Sequence, residues 1–246
     1  MTEGLAGIGR FGFFLARALA ACARHPPSWA RLVEEMYRIG VRSLPILLVI
    51  STFVGTNLAL QGYSAFEPLG GQSLVGMFVA LAGVREMAPI MVAAMVASKA
   101  GTEMASQIAV MRIRDQIDAL EVMAIDPYGY LIVPRLLGIL LTIPALSVMS
   151  TFTLITAAWA VATLQLHMNG HEFLSLVVQN TRPTDIAFTI VKSLVFGAVI
   201  CLVSCWYGFT SRPGPSGVGR ATNLAVVVSA VTCALLNYLL SEVLYG

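Results

Sequence analysis

The chain has 246 residues, of which 57% are hydrophobic and 11% charged, and a formal net charge of +2; its mean hydropathy is +0.81. Soluble proteins carry about 25% charged residues, so this composition excludes an ordinary globular enzyme, and the near-neutral balance excludes nucleic-acid binding driven by net charge. It predicts an all-α polytopic membrane protein whose spans and short loops use nearly the whole length, with no room for a separate soluble domain of ordinary size.

Residues 1–42 form a first region. Phe11 to Ala23 resembles a signal-peptide core, but Arg17 splits the apolar run and Glu3 and Arg10 precede it, which argues against cleavage and removal. Arginines at 10, 17, 24, 31 and 38 recur every seventh residue and hold a slowly drifting helix face. With His25-Pro26-Pro27 dividing the run, the expectation is two interfacial helices, apolar faces in the acyl boundary and arginines among anionic headgroups.

Residues 43–246 contain five runs of the length a span requires, about 44–61, 73–98, 136–163, 186–209 and 222–244. An odd number puts the ends on opposite sides. With the N-terminus inside, Arg10, Arg17, Arg24, Arg31, Arg38, Arg42, Lys99, Arg112, Arg114, Arg135, Arg212 and Arg220 all fall on the cytoplasmic side, and only Arg182 falls in the opposite loops. That asymmetry satisfies the positive-inside rule and places the C-terminus outside.

Within the second span, Arg85 and Glu86 sit near the middle and Pro89 follows as a kink point. Ionised groups at that depth cost about 2.5–3.5 kcal/mol even on the lower scale, so they face a bundle interior or a wet cavity and mark a pathway, unless they are satisfied structurally. Met87 and Met91, one turn apart beside this pair, offer a polarizable surface suited to an irregular apolar ligand.

Between the second and third spans lies a short charged stretch. Over about 112–124, Ile113, Ile117, Leu120 and Ala124 fall on one helical stripe and Arg112, Asp115, Asp118 and Glu121 on the remainder, with Arg114 adding to the charge. Asp126-Pro127 ends it. An amphipathic helix outside the membrane and too short to be a domain is either a docking element for another protein or a solvated connector.

The rest of the chain offers little chemistry of its own. His167 and His171 are separated by Asn169-Gly170 and read as loop residues, and Gly214 to Gly219 as a tight turn before the last span. Ala225, Ser229, Cys233 and Asn237, at intervals of four, form a small-residue packing ridge. Cys22, Cys201, Cys205 and Cys233 have no zinc spacing and read as reduced packing residues. The only lysines, Lys99 and Lys192, end no Gly-rich phosphate loop, so no nucleotide site is expected. No nucleophile set supports an intramembrane enzyme.

The runs Arg85-Glu86-Met87-Ala88-Pro89, Met111-Arg112, Asp115 to Pro127, Val133-Pro134-Arg135 and Gly217 to Thr222 together resemble the MlaE/YrbE family, the permease subunits of ABC systems that move phospholipids or other lipids with MCE proteins. The resemblance runs from about Ile39 to the C-terminus, and the Gln116 to Pro127 block is its specific part. It implies a permease homodimer in the bacterial inner membrane, bound to two cytoplasmic ATPase subunits and a periplasmic ring of MCE-domain subunits. ATP and magnesium would be held by the ATPase, leaving this chain without a cofactor, a metal or an enzymatic role.

The same resemblance implies a lipid cavity at the dimer interface with Arg85, Glu86, Met87 and Met91 as candidates. It also makes 112–124 the coupling helix, docking the ATPase through Arg112, Arg114, Asp115, Asp118 and Glu121. The chain departs from the family pattern at Ala88, at Lys99, at Ser216, and at Gln107, where the family carries Glu, while Glu103 is new. The rival reading is an ion-coupled secondary transporter using Arg85, Glu86 and Lys192 as a relay, against which stands the lack of an evident internal repeat.

Overall fold

The structure, a computed structural model, describes residues 2–24 and 28–245, except for the side chains of 2–8 and 23. The proposed break at His25-Pro26-Pro27 and the Glu3 side chain lie outside this description. Among the described residues all regular structure is helical. The helices are α1 (Thr2–Arg24), α2 (Trp29–Ile39), α3 (Leu44–Phe66), α4 (Val75–Phe78), α5 (Ala88–Val96), α6 (Thr102–Ile113), α7 (Gln116–Val122), α8 (Val133–Leu164), α9 (Gly170–Asn180), α10 (Pro183–Phe209) and α11 (Pro215–Tyr245). Three π-helical segments, Val79–Met87, Ala97–Gly101 and Tyr128–Ile132, carry the chain without a break from α4 to α5, from α5 to α6 and into α8.

Five stretches are long and apolar enough to cross a membrane: Trp29–Leu69, Gln72–Ile113, Tyr128–Leu164, Pro183–Phe209 and Pro215–Tyr245. Each runs past the expected boundaries, because helix continues beyond the apolar run that hydropathy detects. Pro183 and Pro215 start their helices at the position where a missing N–H costs nothing. The Pro215 start corrects the reading of Gly214 to Gly219 as a turn: residues 215–219 are the first turn of α11, and only Gly214, at φ +104, is used for its left-handed freedom. The stretch around the two histidines is corrected as well. Asn169 caps α9 by accepting from the His171 N–H at 3.0 Å, and α9 buries Phe173 and Val177.

The chain divides into two compact units. One comprises Met1–Val41, Val96–Thr142 and Phe196–Cys233. In it α1 buries Phe14, Ala18 and Ala21, and Phe14 packs against Tyr128, Trp206 and Phe209 at centroid distances of 5.3–5.8 Å. Arg17 lies over the Phe13 ring, and Arg10, Arg17 and Arg24 are exposed. Burial pushes the Cys22 thiol above its usual range, the direction of an unreactive thiol. Gly208 of α10 lets that helix approach α6, where a Cβ would meet Ile108 at 2.8 Å.

The second unit comprises Arg42–Met95, Ile143–Val195 and Ala234–Gly246. Its core joins Leu58, Val75, Val79, Leu154, Phe173 and Val177. Gly55 of α3 sits so close to the Leu154 carbonyl of α8 that a Cβ would collide with it. Serine pairs hold the same layer together: Ser51 with Ser150 at 2.8 Å and Ser193 with Ser147 at 2.7 Å. Small residues and interhelical hydroxyl bonds are the means by which helices associate where lipid removes the hydrophobic driving force.

Candidate functional site

In the second unit, the π-helical turn Val79–Met87 ends just before Pro89. Proline has no N–H to give to the carbonyl four residues earlier, that of Arg85. Lys192 Nζ donates to that carbonyl at 3.0 Å. The same ammonium donates to Glu86 Oε1 at 3.1 Å and to Ser241 Oγ at 2.7 Å, and it is fully buried. Glu86 also accepts from Asn237 Nδ2 at 2.9 Å and from Ser241 Oγ at 2.8 Å.

Arg85 and Glu86 therefore do not satisfy each other. Arg85 Nη2 donates to Asp185 Oδ2 at 3.1 Å, and the Asp185 carboxylate also accepts from the Arg182 backbone N–H at 2.9 Å. The Tyr245 ring lies 5.0 Å from both cations. Two positive and two negative groups thus balance, as burial demands. Three polar atoms here still lack a partner: Arg85 Nε, Asn237 Oδ1 and Tyr245 Oη. The Arg85 and Glu86 side chains remain 25% and 32% exposed, unlike Lys192 and Asp185. Met87 is exposed, Met91 is half-buried, and Met95 is buried.

Asp185, Ser241 and Tyr245 were missed from the sequence, although part of the signal was present. The interval-of-four ridge on α11 continues past Asn237 to Ser241 and Tyr245, turning from a packing face into a polar one. Ala225, Ser229 and Cys233 on that ridge are buried within this chain.

In the first unit, the charged stretch is corrected to a shorter helix. α6 runs to Ile113, Asp115 turns left-handed at φ +55, and α7 covers only Gln116–Val122 rather than 112–124. Aspartate tolerates that conformation better than most residues. α7 stops at Val122 because Ala124, at φ +57, closes a Schellman motif: Ile125 N donates to Leu120 O at 2.9 Å and Ala124 N to Glu121 O at 3.0 Å. Ile117 and Leu120 are buried as the stripe predicts, but Ala124 is exposed.

Arg112, Arg114, Asp115, Asp118 and Glu121 are all exposed, with Arg112 paired to Asp118. Val122 and Met123, at the end of α7, are 88% and 61% exposed.

An ion-pair hub ties α2 to this region. Arg38 contacts Glu34 at 3.1 Å, Glu35 at 3.3 Å and Glu103 at 3.4 Å. Arg38 and Arg135 both donate to Gln107 Oε1, at 3.3 and 3.0 Å, and Gln107 Nε2 donates to Glu103 at 3.2 Å. Glu103 stands one helical turn before Gln107, and both side chains reach Arg38. Among the described residues no group of three or more His, Cys, Asp or Glu is placed to hold a metal.

Residues 32–243 match the family described as Permease MlaE. The chain belongs to the MlaE permease family. It is 34% identical to a probable ABC transporter permease protein of Rickettsia conorii over 238 residues, 97% of this chain and 92% of the relative. It is 28% identical to the intermembrane phospholipid transport system permease protein MlaE of Haemophilus influenzae, over the same shares of both chains. The Arabidopsis thaliana protein TRIGALACTOSYLDIACYLGLYCEROL 1, chloroplastic, is 34% identical over 87% of this chain and 61% of its own length. This MlaE-family chain is accordingly a multi-pass membrane protein and a permease subunit, which sets aside the ion-coupled carrier.

Proposed function

We propose that this permease moves phospholipid or a related lipid between the inner membrane and a periplasmic MCE-protein assembly, as a homodimer driven by separate cytoplasmic ATPase subunits. The relative from Haemophilus influenzae is named for phospholipid transport. The observation that carries the reading to this chain is the Arg85 cluster, a charge-balanced group within the apolar spans that keeps an unpartnered Arg85 Nε and Asn237 Oδ1. An arginine N–H left without a partner is suited to a phosphate oxygen, and exposed Met87 with half-buried Met91 suits acyl chains.

ATP binding in the partner acts through α7, which is joined to α6 by the break at Arg114 and Asp115. A partner that held α7 equally well in both transport states would shift nothing, so its contacts must differ between them. Replacing Arg85 by Ala is expected to lower co-purifying phospholipid about tenfold, the value of one charged hydrogen bond. Arg85→Ala leaves the buried Asp185 carboxylate with only the Arg182 N–H, so Arg85→Ala combined with Asp185→Asn, which restores the charge balance, separates loss of lipid from loss of assembly. Unchanged lipid in that variant, measured by mass spectrometry of the extract, would remove the headgroup role.

The positive-inside asymmetry places α7 and the start of α11 in the cytoplasm and α9 outside. A membrane-impermeant thiol reagent on whole cells is then expected to label Gly71→Cys and Glu172→Cys and to spare Gly219→Cys. The reverse pattern would overturn the orientation.

A further inference from the structure

The first unit contains a cleft of about 490 Å³ bounded by α2, α6 and the start of α8, lined by Arg31, Glu34, Arg38, Met111, Tyr130 and Arg135 among others. We propose that this cleft is a second lipid site, which takes the phosphate of an inner-leaflet phospholipid headgroup between Arg31 and Arg135. The site is separate from the Arg85 cluster and stands whether or not the transport reading does.

Three observations converge on it. Arg135 is 6% exposed, yet its Nη1 has no hydrogen-bond partner, although its other nitrogens contact Glu35 and Gln107. A buried guanidinium N–H left unmade carries a desolvation cost of about 1–3 kcal/mol or more, which an anionic oxygen in the cleft would remove. Arg31 faces the same space with its guanidinium 4.0 Å above the Tyr130 ring and no carboxylate within ion-pair distance among the described residues. This leaves its donors available. The lining carboxylates Glu34 and Glu35 are paired with Arg38, and Glu35 also with Arg135, so the lining sets three arginines against two carboxylates.

The surroundings select a lipid over other anions. α2 exposes Trp29, Val33 and Tyr37, at 80%, 60% and 55%, in a stripe at intervals of four. Aromatic rings in such a stripe belong at the headgroup layer, and the opposite side of the same helix carries the arginines that line the cleft. A phospholipid beside α2 therefore presents its phosphate at the depth of Arg31 and Arg135. The cleft volume lies within the range of small-molecule sites. Because Met111 and Gln107 of α6 form one wall, an occupied site braces the stem that leads to α7.

The test places a photoreactive benzoylphenylalanine at Met111, and at exposed Val227 of α11 as the control, in the complex purified from its native membrane. A phospholipid adduct is expected at both positions. At Met111 it should fall about tenfold in Arg31→Gln and in Arg135→Gln, as expected for loss of a charged hydrogen bond, and it should stay constant at Val227. Arg31→Gln, an exposed position, separates loss of the site from loss of the fold. Absence of the adduct at Met111, indifference to both substitutions, displacement by excess inorganic phosphate, or an adduct to an ATPase peptide instead would each overturn the assignment.

Discussion

Replacing Lys192 by Met is expected to destabilise the purified protein by about 3 kcal/mol, the scale for removing one partner of a buried ion pair. Lys192 is fully buried and joins the Arg85 carbonyl, Glu86 and Ser241 in one step. Its loss strands a carbonyl already deprived of a helical donor by Pro89 and leaves the Glu86 charge held only by Asn237 and Ser241. Glu86 keeps a third of its side chain exposed, which limits the penalty. Adding Glu86→Gln to Lys192→Met removes the stranded charge and is expected to recover part of the loss, the behaviour of coupled neighbours in a double-mutant cycle. Denaturation midpoints in detergent check both. A midpoint unmoved by Lys192→Met would mean that the network does not hold α10 and α11 to the π-helical turn.

The double replacement Val122→Asp with Met123→Asp is expected to weaken ATPase retention by about thirtyfold or more while leaving the permease folded. Both side chains are largely exposed at the end of α7, so the fold loses nothing by the change. A well-packed apolar anchor in an interface is worth about 2 kcal/mol or more, and a buried unpaired carboxylate adds to the loss. The check is the amount of ATPase recovered with tagged permease as salt is raised. Full retention would move docking away from the end of α7 and onto its charged face at Asp118 and Glu121.

Hydropathy made the five membrane-crossing stretches legible, because a run of about 20 apolar residues has few other uses. The ends were less so. Pro215 to Gly219 carries turn-forming residues, yet a proline at the first helical position is also a helix start, and the composition does not choose between the two. The stretch around His167 and His171 reads as a loop for the same reason, although Asn169 followed three residues later by Glu172, with Phe173 and Val177 on one face, is a helix-start pattern.

The helix expected over 112–124 shrank to α7 because periodicity is blind to single left-handed residues, and Asp115 and Ala124 both turn that way. At the Arg85 cluster the unusual residues stood out individually, and Arg85, Glu86 and Lys192 were each conspicuous at span depth. Which of them meet was not legible. Arg85 reaches Asp185 and Glu86 reaches Ser241 across intervals of 100 and 155 residues, and only the packing of α10 and α11 decides such pairings.

In the proposed cycle, ATP hydrolysis in a partner, transmitted through α7, moves lipid past the Arg85 cluster. The most direct test is transfer of labelled phospholipid by the complex from its native host, reconstituted in vesicles, with and without ATP. Transfer that requires ATP, and that disappears in Val122→Asp with Met123→Asp while lipid still binds, is the predicted result. Transfer that persists with hydrolysis blocked and follows an imposed proton gradient would contradict the account.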